Sequence, residues 1–196
     1  MFQVRIHGRG GQGVVTAAEI LSVAAFIEGR HAQAFPSFGS ERMGAPVVSY
    51  CRIDDRPIRT REPVMEPDAL IIQDVTLIHQ VDLFAGLRSE GFVLINTSQD
   101  LDELGLASLT SRFRVDRLCY CPATELALEH LGRALPNAAL LGGFAALTGQ
   151  VTLDAVGQAV RQRYPGAVGD QNVAAAEAAY RWVMGSRSEV VHASAD

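Results

Sequence analysis

Apolar residues alternate at Phe2, Val4 and Ile6, give way to glycines, and resume with helical spacing from Val14. That change of period predicts a strand, a tight turn and a helix over residues 2–28. Gly29 reads as the helix stop. An extended stretch follows at 31–35, then an irregular loop, then a strand at 47–53. Asp54-Asp55-Arg56-Pro57 predicts a hairpin turn into a second strand at 58–60. The apolar runs 69–72 and 92–95 have the length and flanks of buried parallel strands. A helix is expected over 76–87, with Leu77, Val81 and Phe84 on one face, and a last alternating strand over 112–120. Beyond Pro122 the spacing turns helical, over 123–133, 138–150, 153–163 and 173–184. Asn137 and Asp154 are helix-start residues, and Asn172 is the expected cap of the last helix. The predicted fold class is α/β, a Rossmann-like sheet that opens with strand, Gly-rich turn and helix and has a helical C-terminal third. Residues 2–184 are expected to form a single domain, with 185–196 a flexible tail.

Composition narrows the chemistry. A net charge of −5 gives nucleic-acid binding no electrostatic footing. All 17 basic residues are arginine, which rules out a lysine Schiff base and the Walker A lysine together. No apolar run reaches the roughly 18 residues of a membrane span, and the N-terminus has no signal-peptide pattern, so a cytoplasmic location is expected. The three cysteines, Cys51, Cys119 and Cys121, are too few for a cubane cluster within this chain and read as small buried hydrophobes. No metal-ligand spacing, Ser-His-Asp order or paired-carboxylate site is present, so no catalytic residue is assigned.

Two stretches carry the candidate chemistry. Gly8-Arg-Gly10-Gly11-Gln12-Gly13 precedes a helix whose first N–H groups and partial positive charge suit a phosphate, pyrophosphate or carboxylate. It also satisfies the Gly-x-Gly-x-x-Gly dinucleotide fingerprint. However, the second strand ends in Phe35-Pro36 where that fingerprint needs a ribose-binding acid, which argues against NAD or FAD. Gln12 is placed to contact a ligand or a neighbouring loop. His7 is either a donor at the turn or a satisfied core histidine. The second stretch, residues 35–46, packs two prolines, two glycines, two phenylalanines and the pair Glu41-Arg42 into twelve residues. Arg42 either pairs locally with Glu41 or offers a planar donor fork to an anion. The candidate binding residues are therefore Gly8, Gly10, Gly11, Gln12, Gly13, Glu41 and Arg42.

Gly-Arg-Gly-Gly-Gln-Gly-Val-Val-Thr-Ala at 8–17, followed by Phe-Pro-Ser-Phe-Gly-Ser-Glu-Arg-Met-Gly-Ala-Pro at 35–46, resembles the gamma subunit of the thiamine-diphosphate-dependent 2-oxoacid:acceptor oxidoreductases of pyruvate:ferredoxin type. The resemblance extends over about residues 2–184 and includes Pro67-Asp68, Asp74, Pro136-Asn137 and Gln171-Asn172. Ser40 stands where the family often has proline, and Met43 where it often has a second arginine. The resemblance implies one subunit of a complex that converts a 2-oxoacid and coenzyme A to acyl-coenzyme A, carbon dioxide and two electrons. Pyruvate-type and aryl-glyoxylate substrates such as phenylglyoxylate both fit, with ferredoxin or NAD as acceptor. It also implies that this chain holds no cofactor alone. Thiamine diphosphate, Mg and iron–sulfur clusters would belong to alpha, beta and delta partner subunits, and FAD, if used, to an NAD/FAD-binding electron-transfer subunit. Two other readings remain at this stage: an independent dinucleotide-binding oxidoreductase and a purely structural subunit.

Overall fold

The computed structural model describes residues 1–37, 43–100 and 102–193. Six strands, β1 (Phe2–Arg9), β2 (His31–Pro36), β3 (Pro46–Asp54), β4 (Ala69–Ile72), β5 (Phe92–Asn96) and β6 (Leu118–Cys121), form one sheet in the order β2-β3-β1-β4-β5-β6. β1, β4, β5 and β6 are parallel, whereas β3 runs antiparallel to both β1 and β2. The helices are α1 (Val14–Ile27), the short α2 (Ser108–Arg112), α3 (Ala123–Leu131), α4 (Asn137–Thr148), α5 (Leu153–Arg163) and α6 (Ala167–Ala193).

Alternation along the strands divides the core in two. Val4, Ile6, Ala69, Ile71 and Leu94 face the layer built by α1 and α3 to α6. Leu70, Ile72, Val93 and Ile95 face Leu77, Leu83, Phe84, Leu106 and Phe113 on the other side. Both faces are covered, so β4 and β5 are continuously apolar. α4 is buried from Asn137 to Leu147 and forms the centre of the helical layer. Its Gly142 lies against the main chain of α6, where a Cβ would land on the Ala176 carbonyl.

Several expected elements are corrected. No strand forms at 58–60, because β3 is already paired on one edge with β2 and on the other with β1. The expected helix at 76–87 is only a 3₁₀ turn, Val75–His79. Buried Arg5 draws the carbonyls of Leu83 and Ala85 onto its guanidinium at 2.8 and 2.6 Å, away from helical partners. The expected strand at 112–120 is instead the end of α2, a 3₁₀ turn and the short β6, since only Leu118–Cys121 lies beside β5. Asn172 does not cap α6 but lies inside it, its side-chain amide donating to the Val168 carbonyl at 2.8 Å. No helix of the described residues is long and apolar enough to cross a membrane.

Candidate functional site

The glycine run continues β1 as far as Arg9 and then turns. Each glycine has its own cause. Gly11 and Gly13 have φ of 94° and 74°, the left-handed region where a side chain is strained. Gly8 is extended; a Cβ there would be 2.6 Å from Val14 Cγ2 and 3.1 Å from Gln73 Oε1. A Cβ at Gly13 would also be 2.7 Å from Asn137 Nδ2.

Three side chains brace the turn. Gln12 Oε1 accepts from the Arg9 N–H at 2.7 Å, and its Nε2 donates to Asp74 Oδ2 at 2.8 Å. Arg9 donates from Nε to the same Asp74 oxygen at 3.1 Å, from Nη1 to the Gly44 carbonyl at 3.0 Å and from Nη2 to Thr76 Oγ1 at 2.8 Å. Burial pushes the Asp74 carboxyl upward. The hydrogen bonds from Thr76 and Gln12 and the charge of Arg9 outweigh it and hold Asp74 below the ordinary carboxylate range.

The two stretches singled out in the sequence meet at their described ends. Gly10 donates to the Ala45 carbonyl at 2.9 Å and accepts from the Gly44 N–H at 3.1 Å, forming an isolated bridge between Gly10 and Met43. Met43 is 86% exposed at the rim of the turn. Glu41 and Arg42 lie outside the described residues. At the other end of the loop Phe35 stacks on Tyr50, with the Arg52 guanidinium 5.1 Å from its ring centre.

These bonds sort the main-chain donors. The N–H groups of Gly10 and Gln12 are committed, to Ala45 and Arg9. Those of Gly11, Gly13, Val14, Val15 and Thr16 make no hydrogen bond among the described residues. The same residues, with Arg9, Gly10 and Val47, line a cavity of about 300 Å³ at the start of α1. Such a niche of unpaired N–H groups at a helix start binds anions. Gln12, expected to reach a ligand or a loop, has both ends of its amide engaged inside the brace. His7 is buried on the sheet. Burial, with the nearby Arg5 charge, lowers its pKa to about 3, so the ring is neutral, and its Nε2 has no partner.

A second, polar cleft of about 330 Å³ opens at the carboxyl ends of β4 and β5, between Gln12, Asp74, Asn96 and Glu125. Sequence reasoning missed Arg9 and Asn96 as organising residues. Asn96 holds β5 to α3, donating to the Gln73 carbonyl at 2.7 Å and Thr124 Oγ1 at 2.8 Å and accepting from the Thr124 N–H at 3.1 Å. The position of an asparagine at the end of an apolar run was the available signal.

The thiols do not suit a cluster. Burial pushes Cys51 to about 12 and Cys119 to about 11, and raises Cys121 further. Among the described residues no group of three or more His, Cys, Asp or Glu side chains is arranged to hold a metal.

Comparison with known proteins agrees with this geometry. The family model for pyruvate ferredoxin/flavodoxin oxidoreductase matches residues 3–182. The chain is 46% identical over 180 residues to the pyruvate/ketoisovalerate oxidoreductases common subunit gamma of Thermococcus kodakarensis, covering 92% of this chain and 96% of that one. It is also 46% identical over 180 residues to the pyruvate synthase subunit PorC of Methanothermobacter marburgensis, with the same coverage. Among solved structures, the pyruvate oxidoreductase subunit PORC of Thermotoga maritima superposes with a TM-score of 0.76 at 33% identity, covering 92% of this chain and 95% of that one.

Proposed function

Because the chain belongs to the pyruvate ferredoxin/flavodoxin oxidoreductase family, as a gamma subunit, we propose that it supplies a coenzyme A phosphate niche to a complex whose redox chemistry belongs to other subunits. The complex oxidatively decarboxylates a pyruvate-type 2-oxoacid with coenzyme A, giving acyl-coenzyme A and carbon dioxide and passing the electrons to a ferredoxin-type acceptor. Thiamine diphosphate, Mg and iron–sulfur clusters are assigned to the partner subunits.

The observation that carries this reading is the row of uncommitted N–H groups at Gly11, Gly13, Val14, Val15 and Thr16 around the cavity at the start of α1. Those donors and the positive end of α1 stabilise an anionic phosphate. Arg9 lines the niche but is already paired with Asp74, which leaves room for a second cation. Arg42 fills that role in this reading, carried by the loop whose ends rest on Gly10 and Arg9, with Glu41 orienting it.

The test is the coenzyme A KM of the assembled complex carrying Arg42→Ala. A raised KM with intact assembly is the expected result. An unchanged KM in a complex of normal composition sinks the phosphate role and leaves a purely structural subunit. Gly11→Val, which crowds both the niche and Met43, serves as the second variant.

A further inference from the structure

The polar cleft differs in chemistry from the niche at the start of α1. It lies between β1 and β4, where the chain after β1 enters the helical layer and the chain after β4 enters the opposite one. Such reversals at the carboxyl ends of parallel strands are recurrent ligand positions. Its lining includes two carboxylates, Asp74 and Glu125, and no arginine. An anion is therefore disfavoured there.

The hydrogen bonds around the cleft leave a specific remainder. Asn96 and Gln12 are engaged at both ends of their amides. Gln73 is not. Its main-chain N–H donates to the His7 carbonyl at 2.7 Å and its carbonyl accepts from Asn96. Its side chain is 1% exposed, and neither Nε2 nor Oε1 has a partner. Whichever way the amide is turned, one donor and one acceptor stay open. An unpaired buried group of this kind costs about 1–3 kcal/mol, a cost that a complementary ligand removes. Gly8 leaves the space that this amide occupies, since a Cβ there would press on Gln73 Oε1. At the lip, the Ser98 hydroxyl and the Glu125 carboxylate make no hydrogen bond among the described residues.

We propose that this cleft binds a neutral, amide-bearing ligand segment and that Gln73 is the residue that reads it. An amide presents the acceptor and donor that Gln73 lacks, and a neighbouring hydroxyl or N–H would satisfy Glu125. The pantetheine arm of coenzyme A carries amides and hydroxyls without charge; choosing it as the ligand rests on the coenzyme A reading above. The cleft volume is of the order of a small-molecule site. Gln73 then selects for the arm while the start of α1 selects for phosphate.

The test uses the full-length chain, ¹⁵N-labelled and titrated separately with pantetheine and with ADP. Pantetheine has the amides and no phosphate; ADP has the phosphates and no amide. The expected result is a shift of the Gln73 side-chain amide resonances with pantetheine, and a Kd raised at least about tenfold in Gln73→Met. Methionine matches glutamine in length and removes the unpaired amide, so the variant keeps its fold. If pantetheine leaves the Gln73 resonances unmoved, or binds the Gln73→Met chain equally well, the inference is overturned; an amide bonded only to solvent or to a partner subunit gives that outcome. ADP binding that survives Gln73→Met while pantetheine fails would sink this inference and leave the phosphate niche standing. Pantetheine binding without ADP binding would do the reverse.

Discussion

Arg9 Nε lies 3.1 Å from Asp74 Oδ2, an ion pair that joins the end of β1 to the end of β4. Gln12 Nε2 shares the same carboxylate oxygen, and Thr76 donates to the other one. Asp74→Ala removes the acceptor for three side chains at once and leaves Arg9 and Gln12 without a partner at the turn. The pair is part-exposed, with side chains 22% and 15% accessible, so solvent screening limits the loss to about 1–2 kcal/mol. Urea unfolding of the variant measures it. The larger expected effect is on the niche beside it: coenzyme A KM should rise even where assembly is normal, because Arg9 also holds Gly44. Equal stability and equal KM would show that the brace is dispensable.

Gly13 and Asn137 make a second constraint, between the start of α1 and the start of α4. Gly13→Ala places a non-glycine residue at φ 74° and sets its Cβ 2.7 Å from Asn137 Nδ2. The backbone strain alone is about 1–2 kcal/mol. If the contact with Asn137 adds to it, the double variant Gly13→Ala/Asn137→Ala should recover part of the lost stability. A thermal-melt cycle over the four proteins tests this, and strictly additive losses would separate the two residues.

Much of this was legible from local pattern. The strand, turn and helix at the N-terminus, the buried strands β4 and β5 and the span of α5 all follow from periodicity and flanking residues, because their partners lie on the faces that the pattern predicts. What was illegible depends on pairing across the chain. A third strand after Asp54 had good local credentials and no free edge to join. The helix expected at 76–87 lost carbonyls to Arg5, a residue some eighty positions away. The same holds at the site. The glycines were readable as a turn before a helix, but the distinction between committed and open N–H groups depends on Ala45, and the role of Gln12 depends on Asp74.

Gly142 tests how the helical layer is built. No side chain fits between α4 and α6 at this point, since a Cβ would meet the Ala176 carbonyl. Gly142→Ala normally favours a helix by about 1 kcal/mol through propensity. Here the expected sign is the opposite, with a loss of about 1–3 kcal/mol from overpacking. Gly185→Ala, also within α6 and with open space around its Cα, is the control and should stabilise slightly. A Tm for Gly142→Ala at or above wild type would mean that the two helices separate at no cost.

His7 sets the acid limb of stability. Its folded pKa is lowered to about 3, first by burial and then by the Arg5 charge, while an unfolded histidine titrates near 6.5. The folded state therefore excludes a proton that the unfolded state takes up below about pH 6.5. Stability should fall as pH drops through that value toward about 3, at up to about 1.4 kcal/mol per pH unit. Asp74 acts in the same direction but lower: its depressed pKa means that its contribution is present above the ordinary aspartate range and lost beneath it. The window between pH 6 and about 4 thus belongs to His7. Replacing it with phenylalanine, which does not titrate, should flatten urea-derived stability across that window and leave the steeper loss below it. A wild-type slope that persists in His7→Phe would move the titrating group elsewhere, for instance to His31, which lies exposed at the start of β2.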